Sequence, residues 1–257
     1  LALDANTTAD SNTALGYAAL TTSTTGAGNT AIGRDALAAN TTGQLNVAVG
    51  FNSLESNTTG EDNTAVGTGA LVANTTGGAN VAVGHDALAA NTTAGSNTAL
   101  GREAMKTNTT GANNTAVGKR ALYLNTTGTE NVAVGTSALA AVTTGSYNHA
   151  FGKGAGFALT TGATNIAIGN AALSTATTAD GNTAIGHSAM TANTSGASNV
   201  AVGLNVLDAN TTGANNVAVG ASALGANTTG ERNTAVGTSS LTSNTTAAGN
   251  TAIGFKS

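Results

Sequence analysis

One 17-residue unit recurs 15 times along this chain without an insertion or deletion. Counting from the Asn of each Asn-(Thr/Val)-Ala-(aliphatic)-Gly motif as offset 0, the register runs through Asn12, Asn29, Asn46, Asn63, Asn80, Asn97, Asn114 and Asn131 to Asn250. A period of this kind is the signature of a repeat architecture in which each unit is one supersecondary element. Residue choice is sorted by offset: Asn at 0, Ala at 2 and Gly at 4 are invariant, offset 3 is always large and apolar, and offset 8 is Leu or Met except at Gly156. Every Asp, Glu, Lys and Arg falls at offset 5, 6, 9, 15 or 16. Charges are almost never buried unpaired, so those offsets mark the solvent side. Offsets 3 and 8 are expected to face inward.

The Thr/Val-Ala-Val stretch is β-branched with an alternation of two, which predicts a short strand followed by a turn at the offset-4 Gly. Asn-Thr-Thr-Gly predicts a second short strand and a Gly turn. Offsets 5 to 10 fit either a strand corner or one helical turn. A 17-residue coil is too short for a helix pair. The expected fold is therefore all-β: a single repetitive domain over residues 1–257, a parallel β-solenoid of about 15 coils. At ~4.8 Å per coil that makes a rod roughly 70 Å long. The offset-0 Asn side chains are placed to form a ladder of amides along it.

Composition excludes the main alternatives. Charged residues are 8 % of the chain against roughly 25 % in an ordinary domain, but strict periodicity argues against a disordered linker. Without Pro, and without Gly at every third position, it is not collagen. A net charge of −4 gives no basic footprint for nucleic acid or for a membrane surface. The absence of Cys removes disulfide and thiolate chemistry. Each coil is expected to bury only one Val or Ile and one Leu, a thin core for a lone rod. The Ala column at offset 2, read as facing away from the Val side, offers a smooth wall for another chain. Both point to an oligomer.

Asn29-Thr30-Ala31-Ile32-Gly33 with Ala36 resembles the head repeats of trimeric autotransporter adhesins (the YadA-like head), and similar arrays look like those of phage tail fibres. The match covers essentially the whole chain, although the adhesin-head unit is typically shorter than this one. The resemblance implies a left-handed β-roll in a homotrimer, located outside the cell, at its surface or on a virion. It implies a structural fibre or adhesin shaft that mediates attachment to a host surface or matrix, or forms filaments. Leu1 falls at offset 6 and Ser257 at offset 7, so the array is expected to be cut within a repeat at both ends, from a longer chain or from rods stacked end to end.

Chemistry-bearing clusters are sparse, and neither catalysis, a cofactor, a metal nor membrane insertion is expected. His85 and His187 are six coils apart, and His149 replaces a Thr or Val at offset 1. Asp86 and Glu103 share offset 6 in adjacent coils, at a spacing a glycosidase pair could use, but Arg102 and Arg120 flank them as in a solvated charge ladder. Asn-Thr-Thr at Asn6, Asn40, Asn57 and Asn74 matches the N-glycosylation acceptor, though a structural ladder explains its recurrence without sugar. One region is irregular: Val142 and Leu159 replace Asn, Gly156 replaces Leu, and Phe151 and Phe157 add bulk. The expectation is that Phe157 and Leu159 fill the space left by Gly156. The alternative is a contact patch of Tyr147, Phe151 and Phe157. Two other functions fit a β-solenoid: an ice-binding surface built on Thr columns, and a polysaccharide-binding or -degrading β-helix. Adjacent Thr at offsets 12 and 13 are expected to face opposite ways, which weakens the ice-binding reading.

Overall fold

A computed structural model describes residues 2–257. It is all-β, a solenoid with one three-residue strand per 17-residue coil and no helix among the described residues. The chain divides into two compact units, Leu1–Thr129 and Glu130–Ser257. The first carries β1 (Thr13–Leu15), β2 (Thr30–Ile32), β3 (Val47–Val49), β4 (Thr64–Val66), β5 (Val81–Val83), β6 (Thr98–Leu100) and β7 (Thr115–Val117). The second carries β8 (Val132–Val134), β9 (His149–Phe151), β10 (Ile166–Ile168), β11 (Thr183–Ile185), β12 (Val200–Val202), β13 (Val217–Val219), β14 (Thr234–Val236) and β15 (Thr251–Ile253). Within each unit successive strands pair in parallel with like residues opposite one another, as Val81, Ala82 and Val83 of β5 stand opposite Thr98, Ala99 and Leu100 of β6.

Within each unit, hydrogen bonds join successive coils around their circumference. In the coil of Asn63, the N–H groups of Thr64, Leu71, Ala73, Thr75 and Thr76 donate to carbonyls of the next coil. Those of Gly67, Gly69 and Ala79 donate back to the coil before, and all these bonds are 2.8–3.2 Å long. The expected second strand does not form: Asn-Thr-Thr-Gly is a bend. Its Thr hydroxyl is nevertheless used, Thr75 Oγ1 donating to the Thr92 carbonyl at 3.0 Å. Offsets 5 to 10, left open between corner and helix, are turns. They reverse the chain through left-handed backbone at offsets 6 and 8, as at Asp86 (φ 55°) and Leu88 (φ 51°). That conformation disfavours L-residues other than Gly, Asn and Asp, and here it turns the Leu side chain inward, where it is fully buried.

The interior reverses one sequence-based expectation. Ala at offset 2 is the buried residue of the strand, and the apolar residue at offset 3 faces out. In β5, Ala82 has no exposed surface while Val83 is 37 % exposed. The core consists of Ala at offset 2, mostly Ala at offset 7, Leu or Met at offset 8, and Asn at offsets 0 and 11. The Ala column therefore packs inside its own coil and is not a wall for another chain. Gly at offset 4 is fixed by coil-to-coil approach. A Cβ on Gly84 would lie 2.6 Å from the carbonyl carbon and oxygen of Gly101, and its φ of +137° is itself closed to side-chain-bearing residues.

Where Gly156 takes the place of Leu, Leu159 and Leu139 fill the space: a Cβ on Gly156 would meet them at 3.1 and 2.6 Å. Phe157, expected to share that role, is 49 % exposed and lies outside the core.

Candidate interaction surface

Each strand turns its offset-1 and offset-3 side chains outward, so the sheet of each unit carries two ranks on its outer face. In the first unit the offset-3 rank reads Leu15, Ile32, Val49, Val66, Val83, Leu100 and Val117, with Thr or Val beside each at offset 1. In the second unit Ile166, Val200 and Val217 join the exposed aliphatic residues at offset 1. Parallel pairing in register places like residues ~4.8 Å apart along a rank. The surface is thus a ribbed, mostly aliphatic sheet face, which a water-soluble monomer would ordinarily cover.

His149 and Phe151 are the outward residues of β9 and both are exposed, as is Tyr147 two residues before the strand. They make the bulkiest row across the outer face of the second unit. Of the three aromatic residues, Phe151 lies in β9, Tyr147 precedes the strand in a bend with left-handed backbone (φ 60°), and Phe157 lies beyond the Gly152 turn. His149 completes that row, a role the sequence did not reveal because the sign of the alternation was misjudged.

The offset-0 Asn residues form a buried ladder. Asn46 Nδ2 donates to Asn29 Oδ1 at 3.2 Å and to the Gly60 carbonyl at 2.8 Å, and Asn29 Oδ1 also accepts the Asn46 backbone N–H at 3.0 Å. The same arrangement links Asn12, Asn29, Asn63, Asn80, Asn97 and Asn114, with an occasional amide-to-amide bond missing. Asn131 begins the file in the second unit, accepting the Asn148 N–H at 3.0 Å. A second ladder, at offset 11, runs through Asn40, Asn57, Asn74, Asn91 and Asn108. These are the glycosylation-like Asn residues. The amides of Asn40, Asn57 and Asn74 are fully buried donors, which closes them to a glycan, while Asn6 is half-buried with its amide on the Ala9 carbonyl.

Of the Thr at offsets 12 and 13, neither is fully buried. Thr41 is half-buried, its hydroxyl donating to the Thr58 carbonyl at 3.1 Å, and Thr42 is exposed, between buried Asn40 and buried Gly43. Asp86 and Glu103 do not form a carboxylate pair with a shared proton. Asp86 takes Lys106 at 2.9 Å and His85 at 3.5 Å, and Glu103 takes Arg120 at 2.6 Å and Arg102 at 3.4 Å. The hydrogen bond from Arg120 holds the Glu103 carboxyl below its ordinary range, the opposite of what a general acid needs. Burial raises the Asp208 carboxyl. Among the described residues no three His, Asp or Glu side chains gather as a metal site requires, and no helix is long and apolar enough to cross a membrane.

No protein family, curated protein or solved structure matches the chain.

Proposed function

We propose that this chain is a structural stem segment of an extracellular, cell-surface or virion fibre, in which copies assemble through the outer faces of their strands. The observation that supports it is the pair of outward ranks at offsets 1 and 3, where Val, Ile, Leu and Phe stand exposed on a regular sheet. Burying aliphatic surface is worth ~25 cal/mol per Å² removed from water, so a ribbed face repeated in every coil gives association a large driving force. The resemblance to trimeric adhesin heads supports a left-handed homotrimer, attached to a host surface or matrix or continued into a filament. Light scattering and sedimentation of the purified chain, with electron microscopy of the particles, test it. The expected result is a trimer, converted to monomer by V83E with V200E. A chain that stays monomeric at all accessible concentrations overturns the proposal.

A second reading, ice binding, draws on the exposed Thr at offset 13 of each Asn-Thr-Thr-Gly bend, a ladder of hydroxyl and methyl groups beside the offset-12 Thr, whose hydroxyls are held by the next coil. A thermal-hysteresis assay decides it: activity abolished by T59V and T76V together favours it, and no activity in the parent chain discards it.

A further inference from the structure

Four of the chain's 8 Lys and Arg residues lie in two consecutive coils of the first unit: Arg102 and Lys119 at offset 5, Arg120 at offset 6 and Lys106 at offset 9. Only Asp86 and Glu103, of 12 carboxylates, share this corner. The local balance is therefore positive on a chain whose net charge is −4.

The two signs are layered. The Glu103 side chain is only 8 % exposed, whereas that of Arg102 is 60 % exposed. Asp86 likewise sits further in than His85. The inner carboxylates hold Lys106 and Arg120 through contacts of 2.9 and 2.6 Å, fixing their side chains against the surface. Arg102 has only a 3.4 Å contact with Glu103, which is already engaged, and among the described residues Lys119 has no ion-pair partner. What faces solvent is a cationic layer over a used-up anionic one. The cations Arg102 and Lys119 occupy the same offset in successive coils, so they stand ~4.8 Å apart along the coils, with the His85 imidazole next in the file.

We propose that this corner binds a sulfated polysaccharide. The cations stand in a file along the coils and do not converge on one point, which suits an extended chain of repeated anions better than a single small one. Guanidinium groups recognise planar faces of oxyanions through paired N–H donors, and ammonium groups act as point charges beside them. A single-stranded nucleic acid would need open aromatic faces for its bases. The aromatic residue at this corner, Tyr123, has the Arg120 guanidinium over its ring at 5.1 Å. The binding site lies outside the strand ranks and stands whether or not copies assemble through them.

Heparin serves as the probe, in affinity chromatography and in titration at low ionic strength, with unsulfated dextran and single-stranded DNA as comparators. The parent chain is expected to bind heparin and not dextran, with log affinity falling linearly in log salt as counterions are released. R102Q with K119Q is expected to weaken binding by about tenfold or more, the scale of losing direct charge contacts. K153Q with K256Q, elsewhere on the chain, should leave it unchanged. Both substituted pairs are exposed, and K119Q alone, which breaks no ion pair, gives a smaller loss in the same direction. Absence of heparin binding, equal binding by R102Q/K119Q and parent, or tighter binding of DNA than of heparin would each overturn the assignment.

Discussion

Asn63 and Asn74, 11 residues apart in one coil, both donate to the carbonyl of Gly77, each at 2.9 Å. The two amide ladders therefore converge on a single backbone oxygen in the coils that keep Asn at offset 11, as at Gly60, Gly77 and Ala94, and this joint closes the coil from within. The ladders are unequal. The Asn63 side chain also donates to Asn46 Oδ1 and accepts both the backbone N–H and the amide of Asn80. That of Asn74 exchanges bonds only with the amides of Asn57 and Asn91.

Asn63→Ala should therefore cost more than Asn74→Leu. The first removes four hydrogen bonds and strands the buried N–H of Asn80, a loss on the order of 3–5 kcal/mol at about 1 kcal/mol per bond plus the desolvation penalty. The second places an apolar side chain where Leu159 and Val142 already stand in other coils, at a cost of roughly half as much. Urea denaturation of the two variants compares them directly, and equal midpoints would contradict the ranking.

Leu88 and Val83 lie five residues apart and face opposite ways. Leu88→Ala opens a cavity in the core and should destabilise the coil by about 2–5 kcal/mol at any protein concentration. Val83→Glu should leave the circular dichroism of the coil intact and change only the mass measured by light scattering. Loss of the β-spectrum in V83E would place Val83 in the core after all.

Gly84→Ala should abolish folding of its part of the array. The added Cβ would stand 2.6 Å from the backbone of Gly101 with no flexible group able to yield. Limited proteolysis should then cut near residue 84 in the variant and spare the parent.

The Glu103–Arg120 contact carries a pH signature. The Glu103 pKa is lowered in the folded chain by the Arg120 hydrogen bond, opposed by burial. A depressed carboxylate pKa contributes stability that is present above the unfolded value, near 4.5, and is lost as pH falls through the folded value. Parent and E103Q melting temperatures should differ at pH 7 and converge in acid. A constant gap across that range would remove the ion pair as its cause.

The coil length, the offset-8 core and the solvent positions of most charges were legible, because each offset meets one environment repeated many times; Glu103, at a charged offset, is instead buried beneath Arg102 and Arg120. The direction of the strand was not. Alternation tells which residues share a face but not which face is inside, and a slip of one residue inverts the whole set. Ranking Val above Ala by hydrophobicity put the wrong face inward. The better signal was tolerance: offset 2 admits only Ala, as a cramped interior demands, whereas offset 3 admits Leu, Ile, Val and Phe. The turns were illegible for another reason. Leu88 and Asp86 adopt left-handed backbone that Leu in particular would not choose locally, and burial of the Leu side chain decides it.

The bonds that tie each coil to its neighbours give these units a distinctive response to force. Because the N–H rungs around a coil are arranged side by side, tension directed across a junction is shared among them. Tension applied to a chain end meets them one after another and peels a coil away. Each peeled coil would release ~60 Å of contour at about 3.5 Å per residue. Under a sudden tug the array would lengthen in uniform steps, taking up the shock while the coils further along stay wound.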